Sequence, residues 1–138
     1  MTRLLAFFFL FASFAHAEKS IFKEITPREA SRMLKAKKPP VIIDIRTPEE
    51  FKNGHLKGAK LVDYRKDFEK NLAKLDRNQI YIFHCRSGGR STQSLPIWKK
   101  LGFKNVLHLK SGYLGWTKAK LPVVVPKTKS ITPPQQLE

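Results

Sequence analysis

The chain has 138 residues, 41% hydrophobic and 28% charged, which is the balance of an ordinary soluble domain with a packed core. That length holds one domain and leaves no room for a tandem pair. The net charge is +16, and the single cysteine, Cys85, excludes an internal disulfide and a cysteine-rich metal site.

Residues 1–17 read as a signal peptide. Arg3 supplies the positive start, Leu4 to Phe14 is apolar except for Ser13, and Ala15-His16-Ala17 fits a small-x-small cleavage site. The apolar run falls short of the roughly 20 residues that span a bilayer, so cleavage is expected rather than anchoring, with no membrane span in the mature chain. The mature chain then begins at Glu18 and works outside the cytoplasm. The lack of disulfides favours the periplasm over the setting of small eukaryotic secreted domains. Arg3 is the only charge removed, so the mature chain carries +15. No aromatic-interleaved basic motif of the RNA-binding kind is present, and nucleic acid is not the expected partner. The lysines are spread along the chain, as a solvated surface that attracts small anions, acidic lipids or an acidic partner protein.

Residues 18–125 form the expected domain. Ser20 to Ile25 reads as a short edge strand. Thr26-Pro27-Arg28-Glu29 is a capping box with proline at the first helical position, and its helix is expected to run to about Lys38, before Pro39-Pro40. Val41 to Ile45 is apolar except for Asp44, the pattern of a parallel strand covered on both faces. Thr47-Pro48-Glu49-Glu50 opens a second, short helix, and Arg46 is expected to pair with Glu50, four residues on. Lys60 to Val62 is a weak strand and Asp67 to Leu75 a helix. Ile80 to Phe83 leads as a buried strand into Cys85. His84 then points to the opposite face from Cys85, by strand alternation. A helix is expected from Ser91 to about Leu101, kinked by Pro96 after its first turn and buried through Leu95, Trp98 and Leu101. Asn105 to Leu109 is the last core strand, and loop is expected after Trp116, with Pro122 to Pro126 extended. Residues 126–138 are expected to form a flexible tail. Strands alternating with helices give an α/β fold around one mainly parallel sheet, with helices on both faces.

The chemistry concentrates between Cys85 and Ser91. A lone thiol at a strand's end, facing a helix N-terminus and two guanidiniums, sits where a thiolate is stabilised. Gly88 and Gly89 permit positive φ, so successive N–H groups can turn inward as a nest for an anion or a thiolate. Ser87 and Ser91 offer hydroxyl donors. Arg90, as the last loop residue, closes the rim, and Arg86 points outward to greet an anionic donor. His16, His55, His84 and His108 show no ligand spacing, and no dinucleotide or phosphate-loop glycine motif occurs, so neither metal nor organic cofactor is expected. His55 reads as a partly buried histidine bonded to backbone.

At these residues the chain resembles the rhodanese-like sulfurtransferases. Cys-Arg-Ser-Gly-Gly-Arg-Ser from Cys85 to Ser91 is similar to their active-site loop. Val41 to Arg46, ending Asp-x-Arg, Glu50-Phe51 with Gly54-His55-Leu56-Lys57-Gly58-Ala59, and Leu101-Gly102-Phe103 with Val106 follow in the family's order. Gly112 to Trp116 resembles its closing turn, with Ser111 in place of a first glycine. The resemblance covers about residues 20–122 and implies a rhodanese-like fold. It implies that Cys85 attacks the outer sulfur of a small anionic donor such as thiosulfate and carries it as a persulfide to a thiol or cyanide acceptor. Arg86, Ser87, Gly88, Gly89, Arg90 and Ser91 then bind the substrate. Asp44 and Arg46 support the loop, Asp44 reaching its back. Related phosphatases resemble His-Cys-x5-Arg, whereas four residues separate Cys85 from Arg90 here. That shorter loop favours sulfur over phosphate or arsenate chemistry. The alternative is a sulfur carrier that exchanges persulfide sulfur with a partner protein.

Overall fold

The structure is a computed structural model and describes residues 21–126. The signal peptide and most of the expected tail lie outside the described residues. Five strands form one all-parallel sheet: β1 (Ile21–Ile25), β2 (Val41–Asp44), β4 (Lys60–Leu61), β5 (Ile80–His84) and β6 (Asn105–Leu109), in the order β1-β6-β5-β2-β4. A second, two-stranded sheet pairs β3 (His55–Leu56) antiparallel with β7 (Val123–Val124). Val123 and Val124, in the segment expected to be extended between Pro122 and Pro126, are therefore an added strand, and this small sheet is an addition to the single one expected.

Side-chain alternation sorts the core into two layers. Ile43, Tyr81, Phe83 and Val106 face a layer that includes Phe68, Leu72 and Trp98. These last three belong to α3 (Phe68–Leu72) and α4 (Gly89–Lys100). Ile42, Ile82, Leu107 and Leu109 face the other way, onto Ala30, Leu56 and Trp116. Ala30 and Trp116 come from α1 (Pro27–Met33) and α5 (Gly112–Lys118). Helices thus cover both faces. The remaining helix, α2 (Pro48–Lys52), follows β2 at the end of the sheet where the strands finish.

The capping boxes form at both expected helices, Thr26 with Glu29 and Thr47 with Glu50. Several boundaries differ from the sequence reading. α1 ends at Met33, and the chain turns through Lys35 and Ala36 rather than holding a helix to Lys38. α4 begins at Gly89, two residues early, and runs through Pro96 without a break. Pro96 falls in the second turn of this longer helix on the exposed side, where water can serve the carbonyl it leaves unpaired. Trp98 is fully buried while Leu95 and Leu101 are only partly so. Residues 112–118, read as a turn followed by loop, form α5. The helix is short and has two glycines, and the packing of Trp116 into the core supports it rather than propensity.

Candidate active site

β5 is the middle strand, and its end sends consecutive side chains to opposite faces. His84 lies on the α1/α5 face and Cys85 on the α3/α4 face, both buried. The loop that follows crosses back over the Cys85 sulfur into α4. Its first backbone carbonyls cap α5: Tyr113 N–H donates to Cys85 O at 2.9 Å, and Leu114 N–H to Arg86 O at 3.0 Å. These first-turn N–H groups of a helix otherwise lack partners. The Ser111 side chain makes no cap bond, so the loop itself is the cap. His84 Nδ1–H also donates to Cys85 O, at 2.9 Å, which fixes the ring tautomer.

Two glycines set the loop's approach. Gly88 has φ 103°, and a methyl group there would run into the Lys110 carbonyl. Gly112 has φ 62°, and a methyl there would meet the Cys85 and Arg86 carbonyls. Positive φ at position 112, not 111, explains why Ser111 can replace the family's first glycine. Gly89, expected to share the nest, is instead helical and has no positive φ.

Donors converge on the sulfur. Gly88 N–H lies 3.1 Å from Cys85 Sγ, and the Ser91 hydroxyl 3.5 Å. Burial pushes the thiol up. The Ser91 hydroxyl and the N–H groups of Ser91, Gly88 and Ser87 outweigh it, and the net shift is downward. Ser87 thus contributes through its backbone. The N-terminus of the twelve-residue α4 adds its dipole. Cys85 is 1% exposed, so a reacting atom must be small enough to enter beneath the loop.

The arginines part company. Arg86 is exposed, as expected. Arg90 sits in the first turn of α4, close enough to Cys85 for the two charges to favour one another, and its guanidinium grips both Glu50 oxygens at 2.8 Å. This overturns the expected Arg46–Glu50 pair. Residues 44 and 46 leave the end of β2 on one side, so Arg46 turns back to Asp44 instead. Its Nε and Nη2 donate to the carboxylate at 2.7–3.0 Å, and its own backbone N–H donates as well. Arg46 also donates to Gly54 O at 2.7 Å and lies 4.0 Å over the Tyr113 ring. Asp44 meets the back of the loop at one remove, its Oδ2 lying 3.8 Å from Nε2 of His84, whose Nδ1–H holds Cys85 O. A second link runs through Arg46 to Tyr113, whose N–H also holds Cys85 O. Glu50 closes the α2 capping box with the same carboxylate that binds Arg90. The Arg90 bond, with the Thr47 N–H behind it, holds Glu50 down at about 2 against the opposing effect of burial.

Two participants escaped the sequence reading. Glu50 was assigned to the wrong arginine. His108, on β6, places Nε2 2.7 Å from Ser91 Oγ and stacks on Phe83. Its signal was present: a histidine inside the apolar strand Val106 to Leu109 must find a buried partner. His55 behaves as expected, its Nδ1–H bonded to Phe51 O at 3.0 Å. Among the described residues no cluster of three or more His, Cys, Asp or Glu side chains is arranged to hold a metal.

An all-parallel sheet with a thiol cradled by a strand-to-helix loop defines the class, and the Rhodanese-like domain family matches residues 26–119. The chain belongs to that family. It is 32% identical over 103 residues to the thiosulfate sulfurtransferase GlpE of Haemophilus influenzae, covering 74% of this chain and 94% of the relative. It is 34% identical over 102 residues to the probable adenylyltransferase/sulfurtransferase MoeZ of Mycobacterium tuberculosis, covering 73% of this chain. The match spans only 26% of that relative's length. A rhodanese-like domain protein from Staphylococcus aureus superposes with TM-score 0.63 at 30% identity, covering 69% of this chain and 91% of the other. What the chain shares with these sulfurtransferase-named relatives is the rhodanese-like domain.

Proposed function

We propose that the protein moves a sulfane sulfur through a persulfide on Cys85, with thiosulfate or a similar small anion as donor. The observation that carries this reading is the convergence of Gly88 N–H and Ser91 O–H on a buried sulfur beneath a four-residue loop. In the first half-reaction the Cys85 thiolate attacks the outer sulfur, the donor's S–S bond breaks, and sulfite leaves with the electron pair. In the second, a thiol or cyanide attacks the terminal sulfur of the persulfide and the Cys85 thiolate is released. The loop N–H groups offset the negative charge in both states, as preorganised donors do. Arg86 draws the anion in, and Arg90 shapes the rim with its charge held by Glu50.

The Glu50 carboxylate supports a second reading. It offsets the Arg90 charge beside the sulfur, which weakens the site for a dianion relative to a singly charged persulfide or polysulfide. A carrier that takes sulfur from an acidic partner protein fits that balance and the basic surface. Intact mass after treatment with thiosulfate, and separately with polysulfide, tests both. A gain of one sulfur atom from thiosulfate, removed by cyanide, supports the enzyme. Loading by polysulfide alone supports the carrier, and no loading by either overturns both.

We propose also that residues 1–17 direct export to the periplasm. N-terminal sequencing of the mature protein should read from Glu18, and an intact Met1 in a soluble cytoplasmic fraction would contradict it.

A further inference from the structure

Ser91 has one hydroxyl proton and three neighbours. Gly88 O is 3.0 Å away, Cys85 Sγ 3.5 Å and His108 Nε2 2.7 Å. A carbonyl and a thiolate can only accept. The imidazole therefore decides how many ways that proton can point. His108 is 1% exposed, and its Nδ1 has no hydrogen-bond partner among the described residues. A proton on Nδ1 would be a buried orphan donor, and Nε2 would then take the Ser91 proton away from the sulfur. A proton on Nε2 meets the Ser91 oxygen directly and leaves only a lone pair unpaired. The second tautomer costs less, because an unmet buried donor carries the full desolvation penalty.

We propose that His108 is a positioning residue whose Nε2–H holds the Ser91 oxygen, so that the Ser91 proton turns to the Cys85 sulfur when that sulfur is a thiolate. When Cys85 carries a second sulfur, the charge moves outward and the same proton turns to Gly88 O. No atom leaves or joins the protein in this exchange; one O–H bond rotates between two acceptors. In its effect on the thiol the inference needs no substrate. In its effect on turnover it rests on the sulfur-transfer reading, where Cys85 must depart as a thiolate in the second half-reaction.

The charged and titratable groups around His108 are Glu24 on β1, which is its register partner, Lys110 beside it, His84 on β5 and Cys85 itself. Glu24 is tied to Lys110 at 3.1 Å, so the two largely offset one another. Burial is the leading influence and keeps the ring neutral, as the arrangement requires.

The test is the pH dependence of Cys85 alkylation by iodoacetamide in the full chain, which needs no sulfur donor. His108→Phe keeps the stacking on Phe83 and removes the donor. It should raise the midpoint by about one pH unit, tenfold less thiolate at a pH below both midpoints. His108→Gln places an amide N–H near the Nε2 position and should restore most of that shift. Ser91→Ala should raise the midpoint similarly, and adding His108→Phe to it should do nothing more. The ring-nitrogen NMR shifts should report a neutral Nε2–H tautomer at pH 7. An unchanged midpoint in His108→Phe, a glutamine no better than phenylalanine, an additive double variant or an Nδ1–H tautomer would each overturn the inference. If His108→Phe does not fold, His108→Asn replaces it, since its amide reaches only the Nδ1 position; the shift should then separate asparagine from glutamine. Persulfide loading is read separately by mass. A shifted midpoint without loading leaves this inference standing and removes the sulfur-transfer reading instead.

Discussion

The two faces of the sheet at the end of β5 carry buried polar groups in opposite arrangements. On the α1/α5 face, Asp44 and Arg46 satisfy one another: the carboxylate takes the guanidinium and a backbone N–H, and the guanidinium also meets Gly54 O and the Tyr113 ring. On the α3/α4 face, Gly88 N–H and Ser91 O–H converge on a sulfur whose charge can change. A closed set of partners fixes geometry, because any departure leaves a buried charge unpaired. An open set aimed at one atom stabilises whichever form of that atom bears charge. One residue's alternation along a strand is enough to separate scaffold from chemistry.

The sharpest division is made by Cys85→Ser. Sulfur transfer, followed as thiocyanate formation, should fall to background while the thermal midpoint moves by no more than a few degrees. Residual turnover in that variant would place the chemistry elsewhere.

Arg46→Met should show the reverse. It leaves the Asp44 carboxylate buried and unpaired, and should cost about 3–5 kcal/mol in urea unfolding. The midpoint of Cys85 alkylation should stay within a few tenths of a pH unit wherever the protein is folded. A large shift of the thiol with little loss of stability would break the division between the faces.

Glu50 joins the two regions, and pH probes it. Its carboxyl is held at about 2 when folded, below the usual carboxylate range, by Arg90. A lowered folded value means the stabilisation is present above the ordinary carboxylate pKa and is lost as pH falls from there toward 2. The pair is partly exposed, so its worth is on the order of 1 kcal/mol. Wild-type stability should therefore converge on that of Glu50→Gln between about pH 4.5 and pH 2. Parallel curves through that window would show that the ion pair adds nothing to stability.

The smallest expected effect belongs to the surface charge. At an ionic strength of about 0.15 M screening acts over about 8 Å, so distant lysines matter little and the exposed Arg86 most. Added salt should lower kcat/KM for thiosulfate by a few-fold and leave kcat nearly constant. Arg86→Ala should remove most of that dependence. If salt has no effect, the basic surface serves a partner and the carrier reading gains.

Features carried by neighbouring residues were legible in the chain. The loop from Cys85 to Ser91 is contiguous, the capping boxes span four residues each, and β2, β5 and β6 announce themselves as short apolar runs. Features that depend on packing were not. The start of α4 moved to Gly89 because only one of two adjacent glycines takes positive φ, and composition cannot say which. α5 was missed because it is short, glycine-bearing, and capped by carbonyls 28 residues earlier in the chain, through Tyr113 N–H to Cys85 O and Leu114 N–H to Arg86 O.

The sequence by itself determined the alternating strand-and-helix order, the position of the thiol at a strand's end, and the spacing of cysteine and arginine around the glycines. These follow from local conformational preference and from chain order, which are properties of adjacent residues. Tertiary structure alone decided which arginine meets Glu50, which carboxylate meets Arg46, and that His108 stands behind Ser91. Each of these turns on which face a strand end presents and which strand lies beside it, and neighbours across a parallel sheet are set by the fold, not by distance along the chain.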